Sequence, residues 1–386
     1  MVSSMDKHNQ KGFVALLSVI FFVMLMSILT IGFLRIMSDE QDQVVDNDLS
    51  KSALASAESG VEDAKRALVY CRSLAGAART TCYNALNNTA CPGMFGPQIQ
   101  SSGTSNPLPG QLGLDTSAGD GSIRVGNPAN NQRYTCVTTN LATDDVVGQA
   151  SEDLGEFLPL SSTSSYNRVT VYWHQIGVDG STTLPGAGND NPRYAAWTSG
   201  VNRFVSGLRL QFVEFDSTKT LSQMNDSSAG MFLMPTSSTG ALTYSTTSRL
   251  NLGAAITTSS VGDKRVEVTC NVASVVAQGY SCAITIDVPI NTPGDNKDYF
   301  VLVKSVYGAP HYKIEIANNS SIVEFNDVQP QVDSTGATGD VFRRVISRVS
   351  YQQNAFNTSN ALESGMSICK DFFTTDTTSQ FSACSD

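Results

Sequence analysis

The cysteines and histidines are the residues of this chain whose chemistry depends most on their positions. There are eight cysteines and three histidines among 386 residues. All eight cysteines follow residue 70, and an even number beyond an apolar N-terminal segment is typical of disulfides formed in an oxidising compartment. The alternative is a set of free buried thiols in a cytosolic protein. The disulfide candidates are Cys71, Cys82, Cys91, Cys136, Cys270, Cys282, Cys369 and Cys384.

Proximity in the sequence favours two particular pairs. Cys270 and Cys282 flank a predicted hairpin at 271–281, and Cys369 and Cys384 would close a loop near the C-terminus. Closing a loop of about 15 residues contributes roughly 3 kcal/mol in the chain-entropy description. Because eight cysteines allow many connectivities, the pairing of the other four stays open.

The sequence does not indicate catalysis. It contains no His-Glu-x-x-His, no Cys-x-x-Cys, no Gly-x-Ser-x-Gly and no phosphate loop. His174 and His311 would be needed for a Ser/His/Asp triad, but each lies in a strand-like run, so we expect ordinary strand residues and no enzyme. We expect no cofactor. Oxygen-rich turns at 188–191 and 294–298 could bind calcium, but they lack EF-hand spacing, and simple turns are favoured.

The charge balance argues against a nucleic-acid partner. The net charge is −10, and no long block of Lys and Arg occurs. The hydrophobic content of 41% is ordinary for a chain with one large or two small globular domains.

One N-terminal segment predicts a membrane span. Residues 12–34 carry no charged side chain, a run of about 23 residues, which is long enough to cross the hydrocarbon core. Lys7 and Lys11 precede it, so the N-terminus should stay cytoplasmic and the rest of the chain should be exported. A secretory signal would have a shorter apolar region and a nearby cleavage site. A plain membrane anchor is the other alternative.

An amphipathic pattern continues the same helix beyond the membrane. Apolar residues recur at steps of three and four, while Asp, Glu and Lys occupy the opposite face, and the first proline is Pro92. We predict one helix over 13–75, with 13–36 in the membrane. Its apolar face should pack on the rest of the protein or on neighbouring subunits. The residues of this packing stripe are Val45, Leu49, Ala53, Ala57, Val61, Ala64 and Leu68.

The remainder of the chain is mainly β in pattern. A loop region at 76–121, with a short helix at 78–86, leads into a β-rich region at 122–352. The fold class is therefore α+β, with a long membrane-spanning helix packed on a large, mainly antiparallel β region. Residues 216–262 form either a long surface excursion or a seam between two β lobes, and 308–310 predicts a hairpin loop. The predicted strands are 122–125, 133–139, 168–175, 203–214, 264–270, 282–289, 299–306, 311–316 and 341–351.

The N-terminal region resembles a known family. Lys11-Gly12-Phe13 resembles the end of the leader and the first mature residue of a type IV pilin. Ala57-Glu58-Ser59-Gly60, after an acidic segment, resembles the helix of the PilX-type minor pilins. The resemblance covers residues 1 to about 72. It implies a leader at 1–12 that a prepilin peptidase cuts between Gly12 and Phe13, a pilin αβ-loop at 76–121, and a disulfide-closed tail at 353–386.

Residue 17 departs from the family pattern. Most pilins carry a glutamate at the fifth mature position, where this chain has Leu17. In the family that glutamate neutralises the terminal amine of an adjacent subunit, and large tip subunits of the wider family also lack it. The resemblance therefore implies a low-copy minor subunit near the fibre tip. The alternative is a lineage whose shaft subunits dispense with the pair.

The function implied by the resemblance is structural. Expected partners are other pilin subunits through the helix, the inner-membrane assembly machinery, prepilin peptidase, and the lipid bilayer before assembly. The expected location is the cytoplasmic membrane and then an extracellular fibre or the cell surface, with roles in fibre assembly and surface adhesion. The competing hypothesis is an uncleaved membrane-anchored surface protein whose β domain binds a ligand.

Overall fold

A computed structural model describes most of the chain. The described residues are 10–87, 91, 93–95, 108–126, 131–184, 204–216, 218, 220, 223, 228–237, 243–244, 250–251, 264–294 and 297–350. The chain divides into two units, Met1–Thr139 with Val332–Ser347, and Asn140–Gln331 with Arg348–Asp386. The region predicted to be β-rich, 122–352, is thus shared between the two units.

The first unit is built on one long helix. Helix α1, Gln10–Ser73, has 64 residues. It is rich in Ala and Leu and free of proline, as the sequence analysis predicted. Gly76 then adopts a positive φ of 58°, which turns the chain into α2, Gly76–Leu86. A third, short helix, α3, covers Leu108–Leu112.

A four-stranded sheet accompanies these helices. Its strand order is β1-β2-β15-β16. The first unit holds β1, the start of β2, the end of β15, and β16 as far as Ser347. The strand bounds are Ile123–Arg124 for β1, Gln132–Thr143 for β2, Phe325–Thr338 for β15 and Val341–Arg348 for β16.

The second unit contains two larger sheets, most of whose neighbouring strands are antiparallel. The β6 sheet consists, in order, of β4 (Glu156–Pro159), β12 (Lys297–Ser305), β6 (Leu208–Asp216), β7 (Ser228–Thr236), β10 (Lys264–Thr269) and β8 (Thr243–Tyr244). The β5 sheet consists of β14 (Ser321–Val323), β13 (His311–Asn318), β5 (Tyr166–Gln175), β11 (Tyr280–Asn291) and β9 (Leu250–Asn251), with β3 (Asp145–Gln149) pairing β13. A short helix, α4, covers Ala273–Val276.

The two large sheets pack face to face as a β-sandwich. One core cluster contains inward side chains from both, including Trp173 and Tyr312 of the β5 sheet and Phe212 and Met231 of the β6 sheet. Alternating burial along β5 and β6 provides these faces, as expected for half-buried strands. The indole N–H of Trp173 donates to the carbonyl of Ser206 at 2.8 Å, which satisfies its buried polar atom.

Both predicted hairpins are wrong. The turn at 308–310 does not join paired strands, because β12 belongs to the β6 sheet and β13 to the β5 sheet. The segment 271–281 likewise crosses between sheets through α4, from β10 to β11. Adjacent strands with buried alternate faces can be joined either within one sheet or across a sandwich, and the pattern of alternation is the same in both cases.

Of the stretch at 216–262, the structure describes mainly 228–237. Its apolar island, 231–234, forms part of β7, which lies inside the β6 sheet between β6 and β10. The division between the two units falls elsewhere in the chain. Met231 and Leu233 are buried in the sandwich core.

Candidate functional site

The first half of α1 carries an apolar surface that nothing in the described structure covers. In residues 16–37, which we call the apolar half, the large apolar side chains are exposed by between 44% at Leu25 and 73% at Phe33. This helix is the one described element long and apolar enough to cross a membrane, with a mean hydropathy of 2.6 over its most apolar window. An exposed surface of this kind marks a contact with lipid or with another apolar partner.

The second half of α1 is buried along one side. Ala53, Ala57 and Ala64 are fully buried, and Leu68 is 1% exposed. Val61 is also buried, whereas Leu49 is half-buried and Val45 is 55% exposed. Among the described residues, the packing stripe is therefore covered from Ala53 onward, in the part we call the packed half (residues 53–71). Its first member, Val45, remains uncovered.

Glycine and small residues bring α1 close to the four-stranded sheet. A Cβ built on Gly336 of β15 would collide with the α1 backbone at Ala53 and Ala57. A Cβ built on Gly60 of α1 would collide with the hydroxyl of Ser334 and would lie 3.0 Å from Val137. Because backbone cannot move aside as a flexible side chain does, Gly336 requires glycine, whereas at Gly60 the atoms that a Cβ would meet belong to side chains.

Polar contacts fix the helix on the sheet at two levels. The hydroxyl of Ser52 accepts hydrogen bonds from Gln132 at 2.5 Å and from Thr338 at 3.1 Å. About three turns later, the hydroxyl of Tyr134 donates to the Asp63 carboxylate at 3.0 Å. Side chains from both middle strands of the sheet thus hold one face of α1, which sets its rotation about its own axis.

The Tyr134–Asp63 contact is partly withdrawn from water. Burial raises the pKa of Tyr134 well above its ordinary value, and the negative charge of Asp63 adds to the effect. Tyr134 therefore remains a neutral hydrogen-bond donor at physiological pH. Arg66 forms an ion pair with Asp63 at 2.8 Å and donates to the carbonyl of Leu112 at 3.0 Å.

Disulfide bonds occur in both units. Cys71 pairs with Cys82, which joins the end of α1 to α2, and Cys91 pairs with Cys136 of β2. Cys270 pairs with Cys282, as the spacing predicted, although the bond connects β10 and β11 across the sandwich. No cysteine of the described residues is free. Cys369 and Cys384 lie outside the described residues, and their pairing stays a prediction.

The residues predicted from the pilin resemblance are all on α1. Gly12 and Phe13 lie in its first turn and Leu17 follows, 58% exposed. The tail at 353–386 and the turn at 188–191 lie outside the described residues, as do 295 and 296 of the second candidate calcium turn. Within the described residues, no group of three or more His, Cys, Asp and Glu is placed to hold a metal ion.

Sequence reasoning missed the strand that receives α1. In β15, the residues Val332, Ser334, Gly336 and Thr338 are buried at every second position. They are too small and too polar to resemble a hydrophobic strand. The sequence signal at this contact was the pair of small residues Ser334 and Gly336, which lie two positions apart and therefore on the same face of a strand. This strand, together with β2, forms the surface of the four-stranded sheet that contacts α1.

Comparison of the chain with family models, curated proteins and solved structures gives no match to any of them.

Proposed function

We propose that this chain is a structural subunit of a type IV pilus or a related pilus-like fibre. The observation that carries the proposal is the division of α1. One continuous helix has an uncovered apolar half and a packed half that is held on its own sheet by close glycine contacts. A subunit of this design carries its folded part at one end of a rod whose other end must be covered by something else.

The uncovered half needs two successive environments. Leaving one large apolar side chain in water costs on the order of 1.5–3 kcal/mol, so the whole half would cost tens of kcal/mol. Before assembly, lipid covers this surface and the N-terminus stays cytoplasmic. In the fibre, the same surface packs against the helices of neighbouring subunits, so its apolar groups never meet water.

The residue at position 17 favours a place at the fibre tip. In the pilins that the N-terminus resembles, a glutamate at this position pairs with the terminal amine of an adjacent subunit. Leu17 cannot supply that carboxylate, and an unpaired amine in a dry helical bundle would be costly. A low-copy subunit with no neighbour requiring this pair avoids the cost. Such a subunit would contribute to fibre initiation and surface adhesion.

The second candidate function is a surface protein that keeps its N-terminal residues and remains anchored in the membrane. The same exposed apolar half favours it, because a single anchoring helix requires only lipid around it. In that case the β-sandwich would act as an isolated ligand-binding domain.

Immunogold labelling of intact cells and of sheared fibres separates these possibilities. The proposal expects gold particles on fibres, concentrated at their ends. Regular spacing along the shaft would reject the tip location and keep a fibre subunit. Label confined to the cell envelope, with none in the sheared fraction, would reject the fibre role and favour the anchored surface protein.

A further inference from the structure

A cavity lies at one end of the β-sandwich, where several turns meet. It has a volume of about 490 Å³ and is formed entirely by the second unit. Its polar lining includes Glu152, His174, Asp179 and His311, and its apolar lining includes Phe204. Small-molecule sites have a few convergent polar groups and volumes of roughly 300–1,000 Å³, and this cavity meets both conditions.

His174 is placed in this cavity at a conformational cost. It is only 2% exposed, and its φ of 62° lies in the left-handed region. Along β5 the alternation of burial would place it on the outer face, opposite Trp173, yet both residues are buried. A strained, non-glycine residue that breaks the pattern of its strand persists because the surroundings fix it, and such residues concentrate at functional sites.

The ring of His174 lacks partners within the described structure. Neither Nδ1 nor Nε2 has a hydrogen-bond partner among the described residues. Burial lowers the pKa of His174, so its ring is neutral at physiological pH; the Asp179 charge and the Ser181 backbone oppose this in part. Neither Asp179 nor the Ser181 backbone lies at a distance and angle suited to a hydrogen bond with a ring nitrogen of His174. A neutral imidazole offers one donor and one acceptor, and a buried pair of unsatisfied ring atoms is costly unless a ligand binds them.

The second histidine is oriented by a carboxylate. Asp179 accepts backbone N–H groups of Gln175 at 2.6 Å and of His311 at 2.8 Å, and its other oxygen contacts Nδ1 of His311 at 2.5 Å. The Asp179 carboxylate is therefore engaged within the protein. The ring of His311 is fixed through Nδ1, which leaves Nε2 as its remaining polar atom.

The lining selects against charged ligands. The described lining holds two acidic residues, Glu152 and Asp179, which disfavour phosphate and carboxylate ligands. A cationic amine would need a carboxylate without partners. Asp179 already has three contacts, and Glu152 accepts the backbone N–H of Gly308.

We propose that this cavity is a binding site for a neutral saccharide, from one to two sugar units in size. A hydroxyl group both donates and accepts, so it matches the donor and the acceptor of the His174 ring in either tautomer. The apolar side chains of Val178, Phe204 and Pro310 suit the C–H faces of a sugar ring. The site uses only residues of the second unit and does not depend on fibre assembly.

Titration of the full-length protein with neutral sugars tests this inference. The protein is held in a detergent without a sugar headgroup, and the probes are glucose, galactose, mannose, N-acetylglucosamine and lactose. Histidine ring proton signals in NMR spectra report the site directly. We expect saturable shifts of His174 and His311 with at least one sugar, whereas His8, near the N-terminus, should not respond.

Two variants connect the binding to the cavity. Asparagine tolerates a positive φ, so His174→Asn removes the imidazole and spares the backbone. We expect it to weaken sugar binding about tenfold or more, with an unchanged melting temperature. Glu324→Gln, at an exposed carboxylate outside the lining, should bind like the parent.

Several results would overturn the saccharide assignment. These are the absence of saturable binding for every sugar, preferential binding of inorganic phosphate or putrescine, and sugar binding that His174→Asn leaves unchanged. If His174→Asn fails to fold, His311→Gln supplies the same comparison, and unweakened binding in that variant would also contradict the assignment. Loss of fibre labelling has no bearing on these readouts.

Discussion

Both halves of α1 are helical, but only the packed half is covered by other parts of the described structure. The apolar half has large side chains on all sides and no cover within the described structure. Where the packed half faces Gly336 it carries alanine and serine, and the sheet approaches closely enough that a methyl group on Gly336 would collide with the helix backbone. Large side chains suit a surface that meets changing partners, whereas small ones suit a surface with one fixed partner.

We expect the largest loss of stability when a charge is introduced into the packed half. We expect Leu68→Asp to destabilise the first unit by roughly 4 kcal/mol, since it places an unpaired carboxylate in a buried seam. Val45→Asp is the matched control, because the same helix face is 55% exposed there and the stability of the monomer should hardly change. Thermal unfolding in detergent measures both. Equal effects of the two variants would show that the two regions do not differ in this way.

A single methyl group should have the next largest effect. Gly336→Ala forces the sheet away from the backbone of Ala53 and Ala57, which we expect to cost about 3 kcal/mol. Gly110→Ala is the control, since a Cβ at Gly110 meets nothing within 4 Å. Hydrogen exchange along α1 is the measurement. Unchanged protection of residues 50–60 in the Gly336→Ala variant would contradict the close contact.

Disulfide removal should affect the two units to a similar extent. Cys71–Cys82 and Cys270–Cys282 close loops with sequence separations of 11 and 12. In the chain-entropy description each contributes slightly under 3 kcal/mol, by an order-of-magnitude reckoning. Replacing each pair by serine and measuring thermal unfolding tests this. A much larger loss of stability for one pair would indicate that its bond also maintains side-chain packing, whereas the other bond does not.

Mass mapping of non-reduced peptides checks the disulfides themselves. We expect the three described pairs together with Cys369–Cys384. Free thiols at most of these positions would contradict both the pairing and export from the cytoplasm.

The smallest effect concerns Glu156, a partly buried carboxylate of the β-sandwich. Burial raises the pKa of Glu156, and the hydrogen bond from Tyr312 opposes this in part. The folded state therefore holds its proton to higher pH than the unfolded state, so stability falls as pH rises from the ordinary glutamate pKa through the raised one. Glu156→Gln should be more stable than the parent at pH 7 and equal to it near pH 4. A stability difference independent of pH would contradict this account.

The sequence predicted the parts of this fold that depend on local pattern. Helix α1 follows from apolar periodicity and the absence of proline, and most large strands from alternation. Which strands pair could not be predicted, because β12 and β13 carry the same alternation whether they form a hairpin or cross between sheets. The contact strand β15 was missed because its buried residues, such as Ser334 and Gly336, are small.

The cavity could not be predicted from the sequence either. His174 lies in a strand whose alternation places it outward, and only its positive φ brings it inside. The partners that orient His311 come from a turn 132 residues away in the sequence. Residues that are far apart in the sequence and meet only in the fold leave no periodic signal. The pair Cys270–Cys282 could be predicted because its two cysteines are close in sequence.

The mature N-terminus of the protein tests the central claim most directly. Mass spectrometry of the chain recovered from sheared surface fibres, after proteolysis, should find an N-terminal peptide that begins at Phe13. This result would mean that the leader is removed and that the exposed apolar half of α1 opens the mature subunit. Recovery of the chain only from membranes, with residues 1–12 still attached, would contradict the fibre-subunit account.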